Sequence, residues 1–126
     1  MTKQVSILVC EDEKFNFILL KKLLEIIIGP SLTIHHATTG EEAIAICNAT
    51  IDLILMDVEM PVMNGFEASK ILKVQYPDTP IVLQTAHCNQ EYKNKAAAIG
   101  CDDFLAKPIV RKDFETILEQ YLKIKA

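Results

Sequence analysis

Leu53-Ile54-Leu55-Met56-Asp57-Val58-Glu59-Met60-Pro61 runs four apolar residues straight into a carboxylate. A short apolar run bounded by polar and turn residues fits a strand buried on both faces. Asp57 then stands where that strand ends. Pro61 stops further pairing, and Asn64-Gly65 marks a turn before the next helix. In open α/β sheets the carboxyl ends of strands are where ligands and chemistry collect. The stretch therefore lifts one acid out of a hydrophobic layer and presents it on a loop.

The bulk properties suit this reading. The chain has 126 residues, half of them hydrophobic, enough for one domain with a sizeable core. Its net charge is -4 with no basic run, which argues against nucleic-acid binding through this domain. No signal peptide is expected from the polar start, and no apolar stretch reaches the roughly 18 residues of a membrane span. Four cysteines (Cys10, Cys47, Cys88, Cys101) form no C-x-x-C pair. They read as ordinary residues of a reducing compartment rather than a zinc or redox site, so a cytoplasmic location is expected.

Outward from Asp57, strand and helix signals alternate. Val5 to Cys10 is a short apolar strand ending in Glu11-Asp12-Glu13. Phe15, Ile18, Leu19, Leu23, Ile26 and Ile27 follow at helical spacing, with Asp12 as the expected cap and Gly29-Pro30 as the stop. Leu32 to Ala37 is a second, weaker strand. Thr38 with Glu41 and Thr39 with Glu42 offer two overlapping capping boxes for a short helix reaching about Asn48. Past the Asp57 strand, Phe66 to Tyr76 reads as a helix with Phe66, Ala68, Ile71 and Leu72 inward. Ile81 to Thr85 is the fourth strand, and a helix from about Asn89 to Ile99 closes on Gly100. Asp103 to Ala106 is the fifth strand. A last helix runs from about Arg111 to Ile124, with Phe114, Ile117, Leu118, Tyr121 and Leu122 on its apolar face. Five βα units with short connections imply a parallel sheet covered on both faces by right-handed crossovers.

The strand ends carry the chemistry. The first delivers Glu11 and Asp12, the third Asp57, the fourth Thr85 and Ala86, the fifth Lys107. If the first and third strands are neighbours, three carboxylates converge, repel one another and raise one another's pKa. A divalent cation relieves this, and magnesium favours carboxylates, a carbonyl and waters, often with a phosphoryl oxygen. A hydroxyl and an ammonium opposite the acids suit that phosphoryl group. The arrangement points to phosphoryl transfer with Asp57 as nucleophile.

On Glu11-Asp12, Met56-Asp57-Val58-Glu59-Met60-Pro61-Val62-Met63-Asn64-Gly65, Thr85-Ala86 and Lys107-Pro108, the chain resembles the receiver domains of two-component response regulators. The match spans residues 1–126 as one receiver domain. It implies a doubly wound, flavodoxin-like (βα)5 fold with strand order 2-1-3-4-5. It implies Asp57 as phosphoacceptor, and Mg2+ or Mn2+ held by Asp12, Asp57, Glu11 through water and the backbone carbonyl of Glu59. Lys107 and the Ala86 N–H would meet the phosphoryl oxygens. Thr85 and Phe104 would form the switch, Glu59 and His87 would tune hydrolysis, and the Lys107–Pro108 bond would be cis. The implied partners are a histidine kinase or histidine phosphotransfer protein, and a second copy on phosphorylation; no nucleic acid or membrane is implied. The chain would catalyse only its own phosphorylation and dephosphorylation. Asn16, Thr85-Ala86-His87 and Asp102 to Ile109 most resemble receivers fused to hybrid sensor histidine kinases, so excision from a longer chain is one reading and a stand-alone receiver the other. Glu13 departs from the common pattern by adding a charge, and Phe104 lacks the hydroxyl many members carry.

Blander readings stand beside these. Asp57 alone is a turn cap, Thr85 a strand-end threonine, and His35 and His36 are edge residues. A flavodoxin-like cofactor binder needs a small-residue phosphate loop where Glu11-Asp12-Glu13 stands, and those acids repel phosphate. An aspartyl-phosphate hydrolase would use the acid at Glu59, but lacks a cap in so short a chain. A scaffold receiver that is never phosphorylated is the remaining alternative.

Overall fold

Strand and helix alternate throughout the computed structural model, which describes residues 4–123. The elements are β1 (Val5–Cys10), α1 (Lys14–Ile28), β2 (Leu32–Ala37), α2 (Gly40–Ile46), β3 (Leu53–Asp57), α3 (Gly65–Gln75), β4 (Ile81–Thr85), α4 (Gln90–Ile99), β5 (Asp103–Ala106) and α5 (Arg111–Leu122). A single 3-10 turn, Gly29–Ser31, joins α1 to β2. The strands form one parallel sheet in the order β2-β1-β3-β4-β5. The expected topology is therefore present. The tail of the predicted last helix, at Ile124, lies outside the described residues.

The sheet's pleat sorts β3 between two cores. Leu53 and Leu55 pack with Leu20, Leu24, Phe114 and Leu118 of α1 and α5. Ile54 and Met56 pack with Ala43, Phe66, Ala68 and Leu72 of α2 and α3. Every residue of β3 is buried, and each of these four has no exposed surface. Truncating one such leucine to alanine costs about 2–5 kcal/mol. This is why an apolar run unbroken by alternation could be placed at the centre of the sheet.

The face of α1 differs from the one predicted. Leu20, Leu23 and Leu24 are buried. Phe15 is 78% exposed and Ile26 59%, and Ile18 and Leu19 are also exposed. The helix is apolar on nearly every side, so two stripes fit helical spacing, and only packing against β1 and α5 chooses between them. The cap also shifts: Glu13, not Asp12, is the N-cap, accepting a hydrogen bond from Asn16 N. At α2, Thr39 accepts from Glu42 N at 3.0 Å while Glu42 turns back to Thr38 N at 2.7 Å, so the two boxes merge into one. In α3, Ile71 is exposed and Ser69 takes the buried position instead.

Gly65 lets α3 begin against the end of β3. A Cβ there would overlap the Asp57 carbonyl oxygen and approach Val58 Cα to 2.8 Å. Its N–H donates to Val58 O at 3.0 Å, and Asn64 and Glu67 form a capping box behind it. The loop between β3 and α3 is thus pinned at both ends. Its middle is strained: Val62 has φ 68°, and Met63 N donates to Pro61 O at 2.8 Å, a γ-turn of the less favourable hand.

Candidate functional site

Glu11 leaves β1 with its N–H still paired to Ala37 O at 2.9 Å. That extra rung carries its side chain down beside Asp57, where it has no exposed surface; Asp57 is 2% exposed. Glu11, Asp12 and Asp57 each offer a carboxylate oxygen, all within 4.8 Å of one another. Lys107 comes from the far side, its backbone N–H tied to Thr85 O at 2.9 Å. Its Nζ stands 3.0 Å from Asp57 Oδ1 and 3.2 Å from Glu11 Oε1. The Lys107–Pro108 peptide bond is cis.

One ammonium faces two buried acids, and the balance is incomplete. Glu11 Oε2 accepts from Glu13 N at 3.1 Å, but Oε1 is buried without a hydrogen-bond partner. Burial, and then the neighbouring Asp57 carboxylate, push the Glu11 pKa up to about 7; Lys107 and Glu13 N–H offset only part of this. Burial works to lower the pKa of Lys107, but the Asp57 and Glu11 carboxylates overcome it and hold that pKa above its ordinary value. Three clustered carboxylates, two of them buried and sharing one ammonium, are a donor set that fits a hard divalent cation.

The fourth strand presents a second cluster. Thr85 Oγ1 donates to the Glu59 carboxylate, at 2.9 Å from Oε1 and 2.8 Å from Oε2. Ala86 N donates to Glu59 Oε1 at 3.3 Å, and His87 N to Thr85 Oγ1 at 3.0 Å. Glu59 N returns to Asp57 Oδ1 at 3.1 Å, which links the two clusters. The sequence reading gave Glu59 a backbone carbonyl role and a tuning role; this side-chain contact was invisible to it. His87 lies at the rim, edge-on to Tyr92, which in turn stands edge-on to Phe66. Phe104 is half-buried and packed against the core under α2 and α3.

Two further residues bear on the site. His36 Nε2 lies 2.8 Å from Glu11 O, where a protonated Nε2 donates, and its ring stacks on Phe17 at 3.6 Å. The only signal for it was its register, directly across from Val9 in the β1–β2 ladder. Gly65, read as a turn residue, is required by the close approach of α3 to Asp57. The cysteines are all free. Burial lifts the thiol pKa of Cys10 well above its ordinary range and that of Cys101 to about 11, which leaves both inert.

An acidic pair after β1, an acid ending β3, a hydroxyl ending β4 and a lysine after β5 on a 2-1-3-4-5 sheet mark the signalling class of doubly wound α/β domain. The match to the response regulator receiver domain over residues 7–119 shows that the chain belongs to that family. It is 36% identical over 124 residues to hybrid signal transduction histidine kinase G of Dictyostelium discoideum, covering 95% of this chain and 4% of that protein. It is 34% identical over 122 residues to transcriptional regulatory protein YvrH of Bacillus subtilis (strain 168), covering 96% of this chain and 50% of that protein. The chain thus spans half or less of these curated relatives. Among solved structures it is similar to the Vibrio cholerae chemotaxis protein CheY4, with TM-score 0.85 and 29% identity over 94% of this chain and 98% of that one. It is also similar to the receiver domain of sensor histidine kinase PA1611 from Pseudomonas aeruginosa PAO1, with TM-score 0.84 and 26% identity over 96% and 99% of the two chains. That domain is described with a magnesium ion coordinated in the active site cleft. No helix among the described residues is long and apolar enough to cross a membrane.

Proposed function

We propose that this chain is a working phosphoacceptor in a two-component phosphorelay, with Asp57 taking a phosphoryl group from the phosphohistidine of a kinase or phosphotransfer protein. The observation that carries this is the convergence of Asp57, Glu11, Asp12 and Lys107 around one buried carboxylate. An Asp57 carboxylate oxygen attacks phosphorus in line; the P–O bond forms as the P–N bond breaks, and the imidazole leaves neutral with a proton from solvent. Lys107 is poised to hold the phosphoryl oxygens. Magnesium or manganese, held by Asp12, Asp57, Glu11 and the Glu59 carbonyl, would neutralise phosphoryl charge. Thr85 Oγ and Ala86 N–H then donate to the phosphoryl group, and the equilibrium of Thr85 and Phe104 shifts. The face formed by α4, β5 and α5 would read out that shift.

The exposed apolar stripe of α1 supports a partner on that helix. Phe15, Ile18 and Leu19 stand free of the core one turn beyond the acids, where a phosphohistidine-bearing helix would bring its phosphoryl group to Asp57. A cytoplasmic site of action and a homodimer on phosphorylation belong to this same proposal, as does origin within a hybrid kinase.

Intact mass after incubation with a small-molecule phosphodonor tests it. One added phosphoryl group is expected, dependent on magnesium and absent in Asp57→Asn. Equal labelling of that variant, or none of the native chain from either small donor or phosphohistidine protein, would overturn the proposal in favour of a scaffold. Multiple turnover of a phosphorylated substrate would favour the hydrolase.

A further inference from the structure

Glu59 is an exposed loop residue two positions past Asp57, yet its carboxylate is not simply solvated. It gathers the Thr85 hydroxyl and the Ala86 N–H at once. The Thr85 oxygen is itself an acceptor for His87 N, which leaves its single proton to point at Glu59. Near-equal distances to the two carboxylate oxygens fit one proton shared between them. The loop is braced for this contact. Val58 N donates to Gln84 O at 3.0 Å, and Glu59 N donates to Asp57 Oδ1. Lys107 lies within ion-pair distance of Glu11 and Asp57, so the charge of Glu59 is met by the β4 donors instead.

A hydroxyl and a backbone N–H at a strand end form a small anion-binding pair. We propose that Glu59 is an internal anion occupying the donor pair that a phosphoryl group on Asp57 must take, so that it competes with the phosphoryl group and holds Thr85 inward beforehand. This rests on the receiver reading. Two anions cannot share one hydroxyl proton, and their charges repel at such range. Phosphorylation must therefore turn Glu59 out to solvent. Glu59 is a positioning residue in this scheme: it never bonds phosphorus, and it acts through Thr85 and Ala86.

Beryllofluoride in the presence of magnesium is a suitable probe, because it bonds to a carboxylate in the shape of a phosphoryl group without transfer. Its affinity can be followed by amide NMR on the full chain. Glu59→Ala keeps the backbone carbonyl and opens the donor pair; binding about tenfold tighter is expected, since charge-assisted hydrogen bonds of this kind are roughly tenfold effects. Glu59→Gln, which keeps an acceptor without the charge, should fall between. In the unliganded protein the Ala86 amide proton should move upfield in Glu59→Ala. Glu13→Gln removes the same charge from the other side of the pocket and should stay within about twofold of the native chain. Equal gains at both positions, or no gain with an unmoved Ala86 amide, would overturn the inference while leaving the receiver reading intact. A native chain that binds no beryllofluoride, or an Asp57→Asn variant that binds it equally well, would overturn both.

Discussion

Two lysine–carboxylate contacts stand at opposite ends of the sheet, and they are built differently. At the amino end, Lys73 Nζ sits 2.8 Å from Asp102 Oδ2 and donates to Thr79 O at 2.8 Å. The same Asp102 oxygen accepts from Ile81 N at 2.8 Å, tying the start of β4 to the start of β5. There each group has its partners. At the carboxyl end, one Lys107 ammonium is divided between Glu11 and Asp57, Asp12 adds a third acid, and a buried Glu11 oxygen has no hydrogen bond. The satisfied pair fastens strands. The cluster at the other end holds excess negative charge that a cation can relieve. Same chemistry, opposite bookkeeping: a domain can be locked at one end and poised at the other.

Removing a partner at the locked end should have the largest effect on stability. Asp102→Ala leaves the Ile81 N–H and Lys73 without their acceptor, and should lower unfolding free energy by about 2–3 kcal/mol in urea titrations. A loss under about 0.5 kcal/mol would mean the contact is only a solvated surface pair.

The poised end should respond in the opposite direction. Glu11→Gln removes a charge the fold penalises, so metal-free protein at pH 8 should gain on the order of 1–2 kcal/mol. The native chain should also show a pH slope that the variant lacks. Folding raises the Glu11 pKa to about 7 from an ordinary value of 4.5, so the folded chain keeps a proton that the unfolded chain has released. That stabilisation is fully present below about pH 4.5 and is lost as pH rises through about 7. Saturating magnesium should flatten the slope. A native slope no different from that of the variant would show that Glu11 ionises freely and that the two ends are not different after all.

The smallest effect concerns the loop that ties the two clusters together. Val62 is a β-branched residue, 89% exposed, at φ 68°. Glycine adopts that conformation without a Cβ penalty, so Val62→Gly should be neutral to about 1 kcal/mol stabilising, despite glycine's greater unfolded-state entropy. A clear loss, measured by thermal unfolding, would place the strain elsewhere.

Much of the site could be read because strand ends in a parallel sheet put chemistry in chain order. Glu11, Asp12, Asp57, Thr85 and Lys107 each follow an apolar run, and one topology brings those ends to one edge. Other features left no local trace. The Glu59 side chain could have pointed anywhere from its loop, and it reaches Thr85 only because β3 and β4 are adjacent. Lys73 and Asp102 are far apart in sequence and meet because β4 and β5 are adjacent. The Glu13 cap was hidden because three consecutive acids offer three candidate caps, and the backbone conformation at Glu13 selects one.

By itself, then, the sequence determined the alternation of elements, the central place of Leu53 to Met56, and the set of reactive residues. Apolar runs and turn residues are local signals, whereas the strand order was implied by the resemblance of the strand-end motifs to the receiver family. Only the tertiary structure decided which stripe of α1 is buried, which acids share the one ammonium and where the Glu59 carboxylate rests. Those depend on distances between segments remote in the chain, where packing and desolvation choose among arrangements that local sequence leaves equal.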